Sequence, residues 1–104
     1  MSSKRLAVLE KMTQSGHTDP FAWYALAMEY KSLDRVDDAL ATFEKLRELD
    51  PSYVPMYLMC ATLLIGGGHT ERAREWFSAG IGAAQAKGDA HALAELQDAL
   101  AHLG

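Results

Sequence analysis

A single cysteine, Cys60, in 104 residues rules out an internal disulfide and fits a reducing compartment. Positive charge is also scarce. Ten Lys and Arg face fourteen Asp and Glu, for a net charge of −4. The one basic doublet near the N-terminus, Lys4-Arg5, is too short to form the cationic stripe that a nucleic acid or an acidic membrane surface requires. Long apolar runs are missing too. The longest, Met59 to Ile65, is interrupted by Thr62 and falls far short of the roughly 20 residues needed to cross a bilayer. Met1-Ser2-Ser3-Lys4-Arg5-Leu6 lacks the continuous apolar stretch of a secretory signal. No segment alternates like a strand, and none has the composition of a linker. These absences leave one soluble domain, with no nucleic acid and no membrane as partner and the cytoplasm as the expected location.

Helix punctuation is plentiful. An opening helix over about 3–15 runs to Ser15-Gly16-His17-Thr18. Asp19-Pro20 then sets a capping carboxylate before a proline at the first helical position, which predicts a helix from Pro20 to Leu33. Asp34-Arg35 makes a tight turn. A helix from Val36 to Leu49 follows, with Asp37 and Asp38 where the helix dipole favours negative charge, and Asp50-Pro51 stops it. Ser52 is the expected cap of the next helix, with Pro55 in its first turn and Gly66-Gly67-Gly68 closing it. Two more helices are predicted over about 70–86 and 89–103. The last carries Leu93, Leu96, Leu100 and Leu103 on one face, placed to cover the helix before it.

Sliding the chain by 34 residues brings Trp23 onto Tyr57, Leu26 onto Cys60, Ala27 onto Ala61, Tyr30 onto Leu64, Ala39 onto Ala73 and Phe43 onto Phe77. The same shift brings the segment 6–12 onto 40–46 with Leu, Ala, Glu and Lys identical. The first unit reads Trp23-x2-Leu26-Ala27-x2-Tyr30, then Ala39-x3-Phe43, then Pro51. Only an alanine for the usual glycine departs from the tetratricopeptide pattern, and the chain resembles that family. The second unit, Tyr57-x2-Cys60-Ala61-x2-Leu64 and Ala73-x3-Phe77, lacks the closing proline. The resemblance implies an all-α fold, a short right-handed solenoid of about six helices in antiparallel pairs. It divides the chain into an N-terminal helix (3–15), two repeats (20–53 and 54–87) and a C-terminal capping helix (89–103). Asp34 stands where the family usually has glycine, at a turn whose left-handed backbone aspartate tolerates.

The resemblance also implies where function lies. In this family the first helix of each pair turns its non-core side chains toward a concave groove. Here these are Phe21, Tyr24, Met28 and Lys31, then Leu58, Thr62 and Ile65. They describe a small apolar groove for a partner segment, with Glu29 and Asp34 as rim acids. Some relatives clamp the acidic C-terminus of heat-shock chaperones with Lys and Asn. The matching positions here, Phe21, Ala25, Pro55 and Met59, cannot grip a carboxylate. The outward face, around Trp76 and the acidic helix beginning at Val36, is the second surface to consider.

Chemistry of other kinds finds little support. His17, His69, His91 and His102 are scattered and read as surface residues, so no metal site is expected. Cys60 sits at a core position with no histidine beside it in sequence and reads as a buried hydrophobe. Gly66-Gly67-Gly68 lacks the Lys and the preceding strand of a phosphate loop. Gly80 and Gly82 weaken their helix unless close packing requires them. No nucleophile, base and oxyanion donor can be assembled, so neither a catalytic residue nor a cofactor is expected. The reading is an interaction module. Its alternative is self-association as a homodimer with a scaffolding role, and a small helical enzyme stands last.

Overall fold

The computed structural model describes residues 3–16 and 19–103; His17 therefore lies outside the described residues. Among these are six helices and no strand: α1 (Lys4–Gln14), α2 (Pro20–Ser32), α3 (Val36–Leu49), α4 (Pro55–Gly66), α5 (Thr70–Lys87) and α6 (Ala90–Leu103). The all-α expectation holds, and the helix limits fall within a residue or two of the sequence reading except at the start of α4. The chain divides into two compact units, Met1–Asp50 and Pro51–Gly104.

In the first unit, Ser3 caps α1 by accepting from the Leu6 amide at 3.2 Å. Asp19 caps α2 through the Phe21 amide at 3.0 Å, with Pro20 as the first helical residue. The α2–α3 turn closes with the Arg35 amide donating to the Tyr30 carbonyl at 2.9 Å, around a left-handed Asp34 (φ 61°). This is the wrap that ends helices when one residue accepts positive φ. The second unit repeats it: the His69 amide donates to the Leu64 carbonyl at 2.9 Å around Gly68 (φ 81°). Asp34 thus performs at one turn what glycine performs 34 residues on.

Each short turn sends the chain back on itself, so α2 lies against α3, and α4 against α5. Small residues sit where the backbones meet. Ala27 and Ala39 in the first unit, and Ala61 and Ala73 in the second, have no exposed surface. Phe43 and Leu46 fill the first core; Leu64, Phe77 and Cys60 fill the second. The Tyr30 hydroxyl donates to Glu10 at 2.5 Å and ties α1 to α2. Burial, and then the hydrogen bond and charge of Glu10, push the Tyr30 phenol up to about 12.

Four expectations need correction. Val54, in helical conformation, stands at the N-cap of α4, not Ser52, and its side chain makes no capping hydrogen bond. Pro55 is the first residue of α4 and has no amide to satisfy, which lessens the need for a cap. Trp76 is buried rather than outward-facing, with its ring 5.7 Å from that of Tyr57. Thr42 is its equivalent one repeat earlier; Trp23 is half-buried there, whereas Tyr57 is fully buried. In α6 only Leu96 is fully covered; Leu93, Leu100 and Leu103 are half-buried. The two helix glycines also part ways. A β-carbon on Gly80 would stand 2.6 Å from Tyr57 Cβ and 3.2 Å from Leu96 Cδ1, whereas one on Gly82 meets nothing within 4 Å. Close packing accounts for the first and not the second.

Candidate functional site

With 100° between successive residues, Phe21, Tyr24, Met28 and Lys31 occupy an arc of about 80° on α2. The rest of that helix is committed. Ala22, Ala25, Leu26 and Ala27 are buried, Tyr30 reaches α1 through Glu10, and Glu29 reaches it through Ser3 and Arg5. The remaining arc belongs to the candidate residues. Phe21 is 63% exposed; Tyr24, Met28 and Lys31 are half-buried.

Tyr24 has a second task. Its ring meets the edge of Phe43 with centroids 6.4 Å apart, and burial raises its phenol. Glu29 differs from the sequence expectation of a rim acid. Its carboxylate accepts from Ser3 Oγ at 2.9 Å and lies 3.6 Å from Arg5 Nε, so it is spent on holding α1. Asp34 is exposed at its turn.

In the second unit Leu58, Thr62 and Ile65 share an arc of about 60° on α4. Leu58 is half-buried, Thr62 exposed and Ile65 41% exposed. Thr62 Oγ1 donates back to the Leu58 carbonyl at 2.7 Å, which leaves its methyl group to face outward with the two apolar neighbours. The opposite side of α4, Tyr57, Cys60, Ala61 and Leu64, is core.

No reactive constellation accompanies these faces. Cys60 is a buried free thiol, and no group of three or more His, Cys, Asp or Glu among the described residues is placed to hold a metal. A shallow depression of about 230 Å³ where α5 turns into α6 is lined by Ala84, Gln85, Gly88, Asp89, Ala90 and Leu93. Its one carboxylate, Asp89, accepts from the Ala92 amide at 3.1 Å as a helix cap. Among the described residues no helix is long and apolar enough to cross a membrane.

Known structures repeat this arrangement. A tetratricopeptide repeat domain protein from Salinibacter ruber is 40% identical, with 82% of this chain and 86% of that one covered and a TM-score of 0.79. A protein from Bordetella parapertussis is 28% identical over 99% of this chain and 89% of its own, with a TM-score of 0.80. The type III secretion translocator chaperone SycD from Yersinia enterocolitica shares the fold at 13% identity, over 96% of this chain and 81% of its own (TM-score 0.76). Among curated proteins none matches the chain. The tetratricopeptide repeat family model matches residues 32–97. With the repeated left-handed turns and the four fully buried alanines at the helix crossings, that match shows that the chain belongs to the tetratricopeptide repeat family.

Proposed function

We propose that the chain binds a segment of another protein in a small apolar groove. Domains of this family generally mediate protein–protein interaction, and their fold is typically a non-enzymatic module. The observation that carries the finer reading is the pair of large apolar side chains, Phe21 and Ile65, left 63% and 41% exposed on helix faces that the core does not use. Large apolar side chains left in water are candidate anchors for a partner. Met28 adds an adaptable contact, and Lys31 offers a charge to orient the bound segment. Under this reading residues 20–53 and 54–87 are two repeats, 3–15 and 89–103 cover the ends, and the module works in the cytoplasm on a protein rather than a nucleic acid.

A few apolar anchors must overcome the lost freedom of the bound segment, so affinity of about 1–100 μM is expected. Because Tyr24 supports Phe43, changing it costs stability as well as binding. The cleaner test replaces Phe21 and Ile65 by Ser. Partner peptides selected from a random display library on the intact chain should bind the double variant at least tenfold more weakly by calorimetry. Its melting temperature should stay within a few degrees of the parent. Binding at parental strength would refute the groove.

A further inference from the structure

In the 34-residue register α1 is the equivalent of α3: Leu6, Val8, Leu9 and Met12 fall on Leu40, Thr42, Phe43 and Leu46. All four residues of α3 are buried in the first unit, where α3 lies against α2. On α1, Leu6 and Leu9 are buried but Val8 is 58% and Met12 37% exposed. So α1 shows to solvent part of the face that α3 gives to a helix. Around the α1 axis, Val8 and Met12 lie within about 40° of each other, with Arg5 on one side and Lys4 and Lys11 on the other. Arg5 reaches Glu29 only at 3.6 Å with its side chain 71% exposed, and Lys4 and Lys11 enter no ion pair among the described residues. An apolar centre bracketed by cations is unusual in a chain of net charge −4.

The outer face of α6 has the complementary character. Opposite the buried Leu96 lie Ala94, Asp98 and Ala101, with Glu95 beside them, all exposed. The alanines permit close approach of another helix. Besides their own amphipathic helix, the two acids have only exposed histidines one turn away, His91 at 3.1 Å from Glu95 and His102 at 3.5 Å from Asp98.

We propose that the exposed face of α1 receives α6 of a second copy of the chain, head to tail, as α3 receives α2 within one copy. Val8 and Met12 pack against the alanine stripe, while Lys4, Arg5 and Lys11 meet Glu95 and Asp98. Pairing α1 with α1 would set cations against cations, so a symmetric contact through this face is opposed by charge. The two faces differ, so the contact is heterologous and need not stop at two copies. A single helix pair buries less than a permanent interface does. The dissociation constant is therefore on the order of 0.1–1 mM at low salt. This inference does not depend on the groove.

Sedimentation velocity of the intact chain between about 10 μM and about 1 mM, at low and at high salt, tests it. The weight-average mass should climb with concentration at low salt, and association should weaken at least tenfold at high salt. Two charge-reversed variants, Lys4→Glu with Lys11→Glu and Glu95→Lys with Asp98→Lys, alter exposed residues only, and circular dichroism checks that both remain helical. Each alone should stay monomeric. An equimolar mixture should associate again, because across the two variants the unaltered faces complement each other and so do the reversed ones. A parent chain that stays monomeric to 1 mM at low salt overturns the proposal, as does undiminished association of either variant or a mixture that stays monomeric.

Discussion

A chain ending at Lys87 is expected to lose its cooperative melting transition, leaving a broad, aggregation-prone unfolding by circular dichroism and light scattering. Removing α6 takes away Leu96, which is fully buried, and the half-buried Leu93 and Leu100. Loss of one buried leucine costs about 2–5 kcal/mol, and uncovering the face of α5 around Gly80 and Ala84 adds to that. The sum is on the order of the whole stability of a domain this size, about 5–15 kcal/mol. A repeat array without a terminal helix leaves an apolar flank in water. The graded version is Leu96→Ala in the full chain, which should lower the melting temperature by more than 10 °C while leaving one transition, at about 4–8 °C per kcal/mol. A truncated chain that melts as sharply and as high as the parent would show that α6 is dispensable.

Gly80→Ala and Gly82→Ala are expected to act in opposite directions although both replace a glycine in the same helix by a better helix former. At position 82 the added methyl group meets nothing within 4 Å. Only the helix preference remains, about 1 kcal/mol in favour of alanine, which raises the melting temperature by about 5 °C. At position 80 the same group would stand 2.6 Å from Tyr57 Cβ. Neither β-carbon can rotate away, so α4 and α5 must separate. Overpacking of this kind costs about 1–3 kcal/mol, and separation also loosens the contact of Tyr57 with Trp76. The net expectation is a fall of about 5–15 °C. Equal shifts for the two variants would mean that the crossing of α4 over α5 is not tight.

The 34-residue shift made the helix crossings legible, because an alanine recurring at a backbone contact leaves a periodic trace. All four such alanines are fully buried. The left-handed turn at Asp34 was legible through the resemblance, which sets this residue where the family usually has glycine. What the shift could not carry was anything that differs between the repeats. Trp76 was read as part of the outward face, yet it is buried with its ring 5.7 Å from that of Tyr57. Ser52 looked like a cap because serine often is one, but the proline at the first position of α4 moved the start of the helix. Glu29 was read as a rim acid from its place on α2, and only coordinates bring Ser3, 26 residues away in sequence, against its carboxylate. The candidate groove residues came from the resemblance, as the off-core positions that the family turns toward its groove. Among them Tyr24 sets its ring against the edge of Phe43.

Cys60 gives the second unit a built-in clock. It is the only sulfhydryl in the sequence and is 1% exposed on the core side of α4. Oxidants and alkylating agents need a thiolate they can reach, so copies of the folded chain do not cross-link in air, and any assembly they form dissolves on dilution. The thiol becomes available only when the packing around α4 opens. Its rate of consumption by an excess of reagent therefore counts those openings, and reports on the breathing of one repeat without any label having been added.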